Sequence, residues 1–393
     1  MTITWISNYI NHHQIPVCEA LYSALGDAFH FVETMPMEQE RREMGWQQKN
    51  EQPYLIRSYE ERERADALVT DADIALIGWA QREDLVEERM KKNLPTIRLS
   101  ERLYREGQWK RFSPRGLCHK YNEHIRYRNK PLWLLAIGAY TASDFRLIHA
   151  YPGKIYRWGY FPPLDVDEGR QAFRDQETAG DQETVQLLWA GRFLELKHPE
   201  FPLWAADRLR HAGTGFHLTM IGDGEMRAAL EQYCAEKNLT DHVTFTGFLS
   251  TKETRARMKA SQIFLFTSNH LEGWGAVVSE AMGEGLAVVA GNEAGGPATL
   301  IRPGVNGLLY RGNGRQNFYD ALKRLVDEPA LAKRMGEEAR RTIRTQWNAE
   351  HAAGELLRFC ACVLSGTAYD PPKDGPMSMD PGVRPFVPAG GAL

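Results

Sequence analysis

Two series of short apolar segments, separated by helical stretches, set the strongest limit on how this chain can fold. The first series is Ile3–Ile6, Phe29–Val32, Ile74–Ile77, Thr96–Leu99, Trp133–Ile137 and Ile155–Trp158. The second series is Val185–Ala190, His217–Ile221, Val243–Thr246, Ile263–Phe266, Leu286–Ala290 and Gly307–Leu309. Strands that alternate with helices form parallel sheets whose two faces are covered by helices. The pattern therefore predicts an α/β protein with two doubly wound, Rossmann-like domains.

The same pattern predicts the domain boundaries. Residues 1–161 form an N-terminal domain and residues 185–347 form a C-terminal domain. Residues 162–184 carry seven acidic residues and little apolar periodicity, so they are predicted to be a linker. A last helix is expected within 348–366. Residues 367–393 are predicted to be disordered, because six prolines and four glycines interrupt any apolar pattern.

Composition excludes several classes of protein. Of the 393 residues, 43% are hydrophobic and 25% are charged, which is typical of a globular protein. The net charge of -3 gives no general bias toward nucleic acid, so no nucleic-acid partner is expected. The longest apolar run, Leu132–Tyr140, is far shorter than the roughly 20 residues of a membrane span. No signal peptide is visible and the five cysteines are scattered, which favours a cytoplasmic protein without a structural zinc site.

Two carboxylates flank a Gly-Trp-Gly turn after the apolar segment Ile263–Phe266. Glu272 is expected in the loop at the end of that strand, where Gly273 and Gly275 let the backbone approach a ligand closely. A helix is predicted to begin near Gly275, so its free N–H groups face the same loop. Glu280 lies a little over one turn into this helix. The arrangement suits a ligand with both hydroxyl and phosphate groups, such as a nucleotide sugar.

Other strand ends of the second series carry charged or glycine-rich turns. Arg192 and Lys197 follow its first strand, where ligands gather in open α/β sheets, and two cations there are suited to an anion. The Gly222-Asp223-Gly224 turn follows the next strand, and Asp223 or Glu225 is expected to cap the helix after it. Phe248 follows the third strand, where core packing and contact with a nucleobase remain alternatives.

The order and spacing of these motifs, from Val185 to Trp347, resemble those of family 4 (group 1) retaining glycosyltransferases. That family has the GT-B fold, in which two Rossmann-like domains face a cleft. The resemblance implies catalytic roles for Arg192, Lys197 and Glu272, with the two cations on the donor diphosphate and Glu272 on the donor sugar. It also implies that Glu280 holds the ribose hydroxyls. The implied donor-binding residues are Gly191, Gly222, Asp223, Gly224, Gly247, Phe248, Gly273, Trp274, Gly275, Ala276 and Glu280.

The resemblance further implies a reaction. A sugar would move from a nucleoside-diphosphate sugar to a glycan or lipid-linked acceptor with retention of configuration, in cell-surface polysaccharide or lipopolysaccharide synthesis. No metal and no cofactor are expected. Asp71-Ala72-Asp73 precedes a strand and Asp165-Val166-Asp167 falls in the linker, so neither pair is placed to bridge a cation to phosphates.

The N-terminal half departs from the family pattern. Its first loop, Asn8–Gln14, lacks the Gly-Gly turn of many relatives and carries His12 and His13. These histidines are either acceptor-side residues or exposed loop residues. Many relatives have a histidine after the fourth strand of this series, and here Glu101 stands nearest to that position. His12, His13 and Glu101 are therefore the candidate acceptor-side residues.

A basic and aromatic cluster lies in the same half. Three alternatives fit it: an anionic membrane surface, nucleic acid, or an ordinary solvated helix face. The basic and aromatic composition of the cluster makes the inner membrane surface a candidate for peripheral contact. The cluster consists of Lys110, Arg111, Arg115, Lys120, Arg126, Arg128 and Lys130, with Trp109, Phe112, Tyr121 and Tyr127 between them.

Three other functions compete with glycosyl transfer. A nucleotide-sugar epimerase shares the architecture and needs no acceptor. A non-catalytic GT-B binding module is also open, although it would have little need to retain both cations and both glutamates. A dinucleotide-dependent oxidoreductase is disfavoured, because the first strand leads into Asn8–Gln14 without a Gly-x-Gly-x-x-Gly turn.

Overall fold

The computed structural model describes residues 1–38, 52–164, 184–312 and 314–385. Within these ranges the chain divides into two compact units. The first consists of Met1–Pro163 with Gln346–Pro385, and the second is Leu164–Thr345. Most of the predicted linker lies outside the described residues.

The first unit contains a parallel sheet that has seven strands within the described ranges, in the order β3-β2-β1-β4-β5-β6-β7. Its strands are mostly short apolar runs because both faces of a parallel sheet are buried. In β4, for example, Ile74, Ala75 and Leu76 are fully buried. The strands are β1 (Ile3–Ser7), β2 (Phe29–Glu33), β3 (Leu55–Arg57), β4 (Ile74–Ile77), β5 (Thr96–Ser100), β6 (Leu132–Ile137) and β7 (Ile155–Trp158).

Helices of the first unit follow most of these strands. Apolar side chains from α2, α3 and α5 pack with strand residues in one hydrophobic cluster that includes Val69, Val86 and Phe145. The helices are α1 (Ile15–Leu25), α2 (Arg62–Asp71), α3 (Glu83–Lys91), α4 (Pro114–Glu123) and α5 (Thr141–Leu147).

The second unit contains a six-stranded parallel sheet, as far as it is described, in the order β10-β9-β8-β11-β12-β13. The strands are β8 (Val185–Ala190), β9 (Phe216–Ile221), β10 (Val243–Gly247), β11 (Ile263–Phe266), β12 (Ala287–Gly291) and β13 (Leu308–Tyr310). The helices are α6 (Glu200–His211), α7 (Arg227–Glu236), α8 (Thr251–Lys259), α9 (Ala276–Gly283), α10 (Gly295–Leu300), α11 (Arg315–Asp327) and α12 (Pro329–Thr345). The strand order reverses between β8 and β11, and ligands of open α/β sheets bind at such a reversal.

The predicted fold class is confirmed by these two parallel sheets. Every predicted strand coincides with an observed one to within one residue at each end. The edge strand β3 was not predicted, because its three residues, Leu55–Arg57, are too few to give a pattern. Among the described residues, no helix has the length and apolar character that a bilayer crossing requires.

The chain returns to the first unit after α12. The last helix, α13 (Ala349–Ser365), packs against α1, and the Phe359 ring contacts Trp133 of β6 at 5.5 Å. Residues 367–385 then follow the edge strand β7. The backbone N–H of Arg157 donates to the Ser378 carbonyl at 2.8 Å, and the Met377 N–H donates to the Arg157 carbonyl at 2.9 Å.

The prediction of a disordered tail is therefore wrong for residues 367–385. An edge strand presents unpaired N–H and C=O groups, and this segment forms hydrogen bonds with some of those groups on β7. Met377 is fully buried, and Tyr369 donates to Glu355 of α13 at 2.9 Å. The pairing involves backbone groups, which leave no trace in the apolar pattern. Residues 386–393 lie outside the described residues.

Candidate functional site

The two loops at the strand-order reversal of the second unit are tied together. One follows β8 and contains Lys197, and the other follows β11. The Asn269 N–H donates to the Leu196 carbonyl at 2.9 Å, and the Thr267 hydroxyl donates to the Lys197 carbonyl at 2.6 Å. The same hydroxyl accepts from the buried Trp189 indole at 2.9 Å. These bonds fix the backbone of both loops at the carboxyl edge of the sheet.

Lys197 and Glu272 meet at this edge. The Lys197 ammonium lies 2.5 Å from a carboxylate oxygen of Glu272, although the two residues are far apart in sequence. Each side chain is 19% exposed, so the pair is accessible from solvent on one side. A fixed cation beside a carboxylate that still has free lone pairs can bind an anion and a hydroxyl together. Two of the three predicted catalytic residues are thus in contact.

Arg192 lies in the same loop as Lys197 and is exposed. Its position after β8 places it at the carboxyl edge of the sheet, as the strand pattern predicted. Gly191 begins this loop, and its N–H donates to the Ile221 carbonyl at the end of β9.

Helix α9 begins at the second carboxylate loop. Gly275 precedes it with a φ of +80°, and a Cβ at this position would lie 2.5 Å from the Phe266 ring. Only glycine fits both requirements. Among the described residues α9 has no side-chain cap, and the Val278 N–H donates to the Gly275 carbonyl at 3.0 Å. The start of this helix, at Ala276, therefore faces the loop without a side-chain acceptor over it.

Glu280 lies on α9 and is partly buried. Burial raises the pKa of this carboxyl to about 7, with a smaller contribution from Glu284, while Arg255 opposes the shift. The ionised carboxylate is the form that accepts hydrogen bonds from a diol most strongly.

The turn after β9 packs directly on the turn after β8. Gly222 has a φ of +130°, and a Cβ there would lie 1.9 Å from the Gly191 carbonyl oxygen. The Phe193 N–H donates to the Asp223 carbonyl at 2.8 Å. This close approach of two backbones explains why the turn contains glycine.

The expectation that Asp223 or Glu225 caps the next helix is wrong. Helix α7 begins at Arg227, and the residue before it makes no cap bond within the described part of the chain. The Asp223 carboxylate instead accepts the Gly224 N–H at 2.8 Å and an N–H of Arg227 at 2.7 Å. These two bonds lower the pKa of Asp223. Asp223 therefore stabilises its own turn.

Two aromatic predictions are resolved by burial. Phe248 is 55% exposed, so the core-packing alternative is wrong and its ring is open to solvent beside Gly247. The Gly247 carbonyl accepts the Gly222 N–H at 2.9 Å, which joins this turn to the previous one. Trp274 is only 1% exposed and its indole lies 3.2 Å from the Ser279 hydroxyl. The Trp274 ring therefore belongs to the core, and a donor contact by this residue stays a prediction for its backbone groups.

The candidate acceptor-side residues lie together at the carboxyl edge of the first unit. The rings of His12 and His13 are 3.7 Å apart, and His13 stacks on Tyr160 at 5.8 Å. Tyr160 donates to Glu101 at 2.8 Å, and Glu101 also pairs with Arg105. Burial and the neighbouring His12 lower the pKa of His13 well below its usual value. Tyr160 thus connects the loop of His13 with the loop of Glu101, a role that no pattern in the sequence predicts.

Comparison with known proteins agrees with this geometry. Residues 170–342 match the family model described as glycosyl transferases group 1. This part of the chain is thus similar to the group 1 glycosyl transferases. The match covers most of the segment that carries the resemblance, Val185 to Trp347.

Curated relatives match over part of their length. The chain is 28% identical over 236 residues to a GDP-mannose-dependent alpha-(1-6)-phosphatidylinositol monomannoside mannosyltransferase of Mycobacterium tuberculosis, over 57% of this chain and 60% of that protein. It is 33% identical over 210 residues to a 2-deoxystreptamine glucosyltransferase of Streptomyces kanamyceticus, over 51% of each. The chain thus spans about half to three fifths of the relatives that it matches.

A solved structure supports the fold. Anabaena Alr3699/HepE in complex with UDP has a TM-score of 0.67 and covers 93% of this chain and 100% of its own. Its sequence is 16% identical, so the similarity concerns the fold alone.

Proposed function

We propose that this protein is a retaining glycosyltransferase that uses a nucleoside-diphosphate sugar and needs no metal. The proposal depends on one observation: Lys197 and Glu272 meet at the strand-order reversal of a segment that matches the model of group 1 glycosyl transferases. One named relative is a phosphatidylinositol monomannoside mannosyltransferase, which supports a lipid-linked sugar as the acceptor. Synthesis of a cell-surface polysaccharide or lipopolysaccharide fits this substrate class.

The reaction breaks the bond between the sugar's anomeric carbon and the diphosphate and forms a bond from that carbon to an acceptor oxygen. The electron pair of the broken bond stays on the diphosphate, and the acceptor's proton passes to that leaving oxygen. Arg192 and Lys197 stabilise the growing negative charge in the transition state. Glu272 orients the sugar through its hydroxyls, and Glu280 holds the ribose diol. Attack on the face that the leaving group vacates retains the configuration.

The position of the one described Asp-x-Asp pair supports a metal-independent reaction. Asp71 ends α2 and Asp73 precedes β4, so the pair lies at the amino edge of the first sheet, opposite the edge where strand-end loops bind ligands. Asp73 accepts the Thr2 N–H at 2.7 Å. Asp165 and Asp167 lie outside the described residues.

Nucleoside diphosphates should stabilise the protein, and transfer should survive chelation. UDP, GDP and ADP are first compared by thermal shift, because a ligand at ten times its Kd stabilises by about 1.4 kcal/mol. The matching nucleotide sugar is then assayed with and without a lipid-linked or glycan acceptor, in the presence of EDTA. Formation of a glycoside of retained configuration supports the proposal. Loss of activity in EDTA with rescue by Mn²⁺ contradicts the metal-independent reaction. Formation of an epimeric sugar from the donor alone, without acceptor, indicates an epimerase.

The first unit has a surface suited to an anionic membrane. None of the residues of α4, all of which are described, is buried. Trp109 and Phe112 before the helix are 65% and 70% exposed, and Tyr121 on it is 55% exposed. Residues 108–130 contain seven lysines and arginines against one acidic residue, although the whole chain carries a net charge of -3. We propose that this surface contacts an anionic lipid bilayer, where each basic residue contributes about 1 kcal/mol.

Removing the charge of this surface should release the protein from anionic vesicles. In a sedimentation assay with phosphatidylglycerol-containing vesicles, the K110E/R111E variant should bind at least about 10-fold more weakly. The K91E/K92E variant reverses two positive charges at the end of α3 in the same unit and should bind like the wild type. Equal losses in both variants, or equal binding of the wild type to uncharged phosphatidylcholine vesicles, would contradict a specific docking surface.

A further inference from the structure

Glu293, in the loop after β12, has a buried carboxylate without a hydrogen-bond donor. Its side chain is 3% exposed, and within the described part of the chain neither carboxylate oxygen has a hydrogen-bond partner. Burial of an unpaired charge is strongly unfavourable, so an unsatisfied group of this kind requires an explanation. A role in ligand binding is one explanation that also accounts for its position.

The loop that carries Glu293 is fixed to the loop that carries Glu272. The Gly295 N–H donates to the Gly273 carbonyl at 2.9 Å, and the Gly296 N–H donates to the Trp274 carbonyl at 2.9 Å. Both acceptors directly follow Glu272 in sequence. The buried carboxylate is therefore held beside the candidate donor site.

Among the described residues, the His270 imidazole lies near Glu293 and can become a cation by taking up a proton. Its Nδ1 lies 3.8 Å from a Glu293 oxygen, which is longer than a hydrogen bond but within about 1 Å of one. The His270 side chain is 40% exposed and lies two residues before Glu272. Its exposed ring therefore connects the buried carboxylate to the solvent side of the site.

Tyr310, which also lies close enough to Glu293 to feel its charge, supplies no positive charge. Tyr310 of β13 is buried, and its burial, Glu293 and Glu200 all raise the pKa of its phenol. A neutral phenol and a second carboxylate do not compensate Glu293. The imidazole of His270 can do so when it carries a proton on both ring nitrogens.

We propose that His270 and Glu293 form a dyad that binds the diphosphate of the donor. Glu293 accepts the N–H of His270 Nδ1 and so positions the ring, and the N–H of Nε2 donates to a phosphate oxygen. The His270 imidazolium adds a third positively charged donor to Arg192 and Lys197, while Glu293 balances its charge within the dyad. This inference rests on the proposed function and adds a residue pair to its donor site. His270 contacts the ligand, and Glu293 acts through His270.

The test compares a nucleoside diphosphate with its monophosphate. The probe is whichever of UDP, GDP and ADP stabilises the wild type, and affinities are measured by calorimetry. His270→Ala and Glu293→Gln should each weaken diphosphate binding about 10- to 100-fold, as expected for one charge-assisted hydrogen bond. Binding of the monophosphate should change little. The double variant should bind no more weakly than His270→Ala, because both substitutions remove one interaction.

Thermal stability distinguishes this role from a structural one. Glu293→Gln removes an unpaired buried charge, so the melting temperature should rise by about 2–4 °C. Glu200→Gln is the matched control. Glu200 already accepts from His198 Nδ1 at 3.0 Å, so its replacement should lower the melting temperature.

Two results would overturn the dyad. One is a Glu293→Gln protein that melts earlier and binds the diphosphate like the wild type. The other is a His270→Ala protein with unchanged diphosphate affinity. If these results occur while the wild type transfers sugar and Lys197→Ala does not, only the dyad is rejected. If the wild type binds none of the three diphosphates, the dyad and the proposed function are rejected together.

Discussion

Replacing Lys197 with alanine should lower kcat by about 10²–10³-fold, the loss typical of removing one preorganised charge partner of a transition state. The ammonium is held 2.5 Å from Glu272, and its backbone carbonyl is fixed by Thr267. Its charge is therefore in place before the diphosphate leaves and requires no reorganisation. Arg192→Ala should cause a loss of similar size, since both cations are proposed to act on the same leaving group.

Lys323→Ala is the matched control for this prediction. Lys323 forms an ion pair with Asp327 at 2.6 Å within α11 of the same unit. The Lys323→Ala variant should therefore keep the wild-type kcat. Steady-state kinetics of the three variants, at donor concentrations well above KM, provide the measurement. Near-wild-type turnover by Lys197→Ala would remove the leaving-group assignment. A parallel loss in Lys323→Ala would indicate a general effect on folding.

The fold was predictable from sequence because its signal is local. Segments such as Ile74–Ile77 and Ile263–Phe266 are continuous apolar runs, as expected for strands buried on both faces. Their alternation with helices fixes a parallel arrangement, and loops after parallel strands meet at one edge. That reasoning was sufficient to expect Lys197 and Glu272 at the same edge before their contact was observed.

Burial and backbone pairing account for most of what the sequence did not reveal. Trp274 stands between two glycines in a ligand loop, yet its ring enters the core. Residues 367–385 are held partly by backbone hydrogen bonds to β7, and these do not depend on an apolar pattern. Glu293 looks like an ordinary loop glutamate, and only the packing around it shows that its carboxylate is buried without a donor. Each case depends on tertiary contacts between distant segments.

A second large effect is expected in the first unit, where a buried ion pair holds the loop after β5. Asp144 is fully buried and accepts from Arg102 at 3.2 Å, from the Tyr104 N–H at 3.0 Å and from Gln108 at 2.8 Å. Asp144→Ala leaves the Arg102 guanidinium buried without its counter-charge. Such a loss costs about 3–5 kcal/mol in free energy of unfolding. Urea denaturation followed by circular dichroism measures it.

Asp84→Ala is the appropriate comparison for Asp144→Ala, because Asp84 also pairs with an arginine but has a 61% exposed side chain. Exposed pairs contribute about 0–1 kcal/mol, and Arg82 would keep its second partner, Asp66. A large loss for Asp144→Ala beside a small one for Asp84→Ala would show that the buried pair stabilises this unit. Trp109 directly follows Gln108 and Phe112 lies four residues after it, so Asp144→Ala should also weaken binding to anionic vesicles. If the Asp144→Ala protein is destabilised but binds vesicles like the wild type, Asp144 does not support the membrane-binding surface.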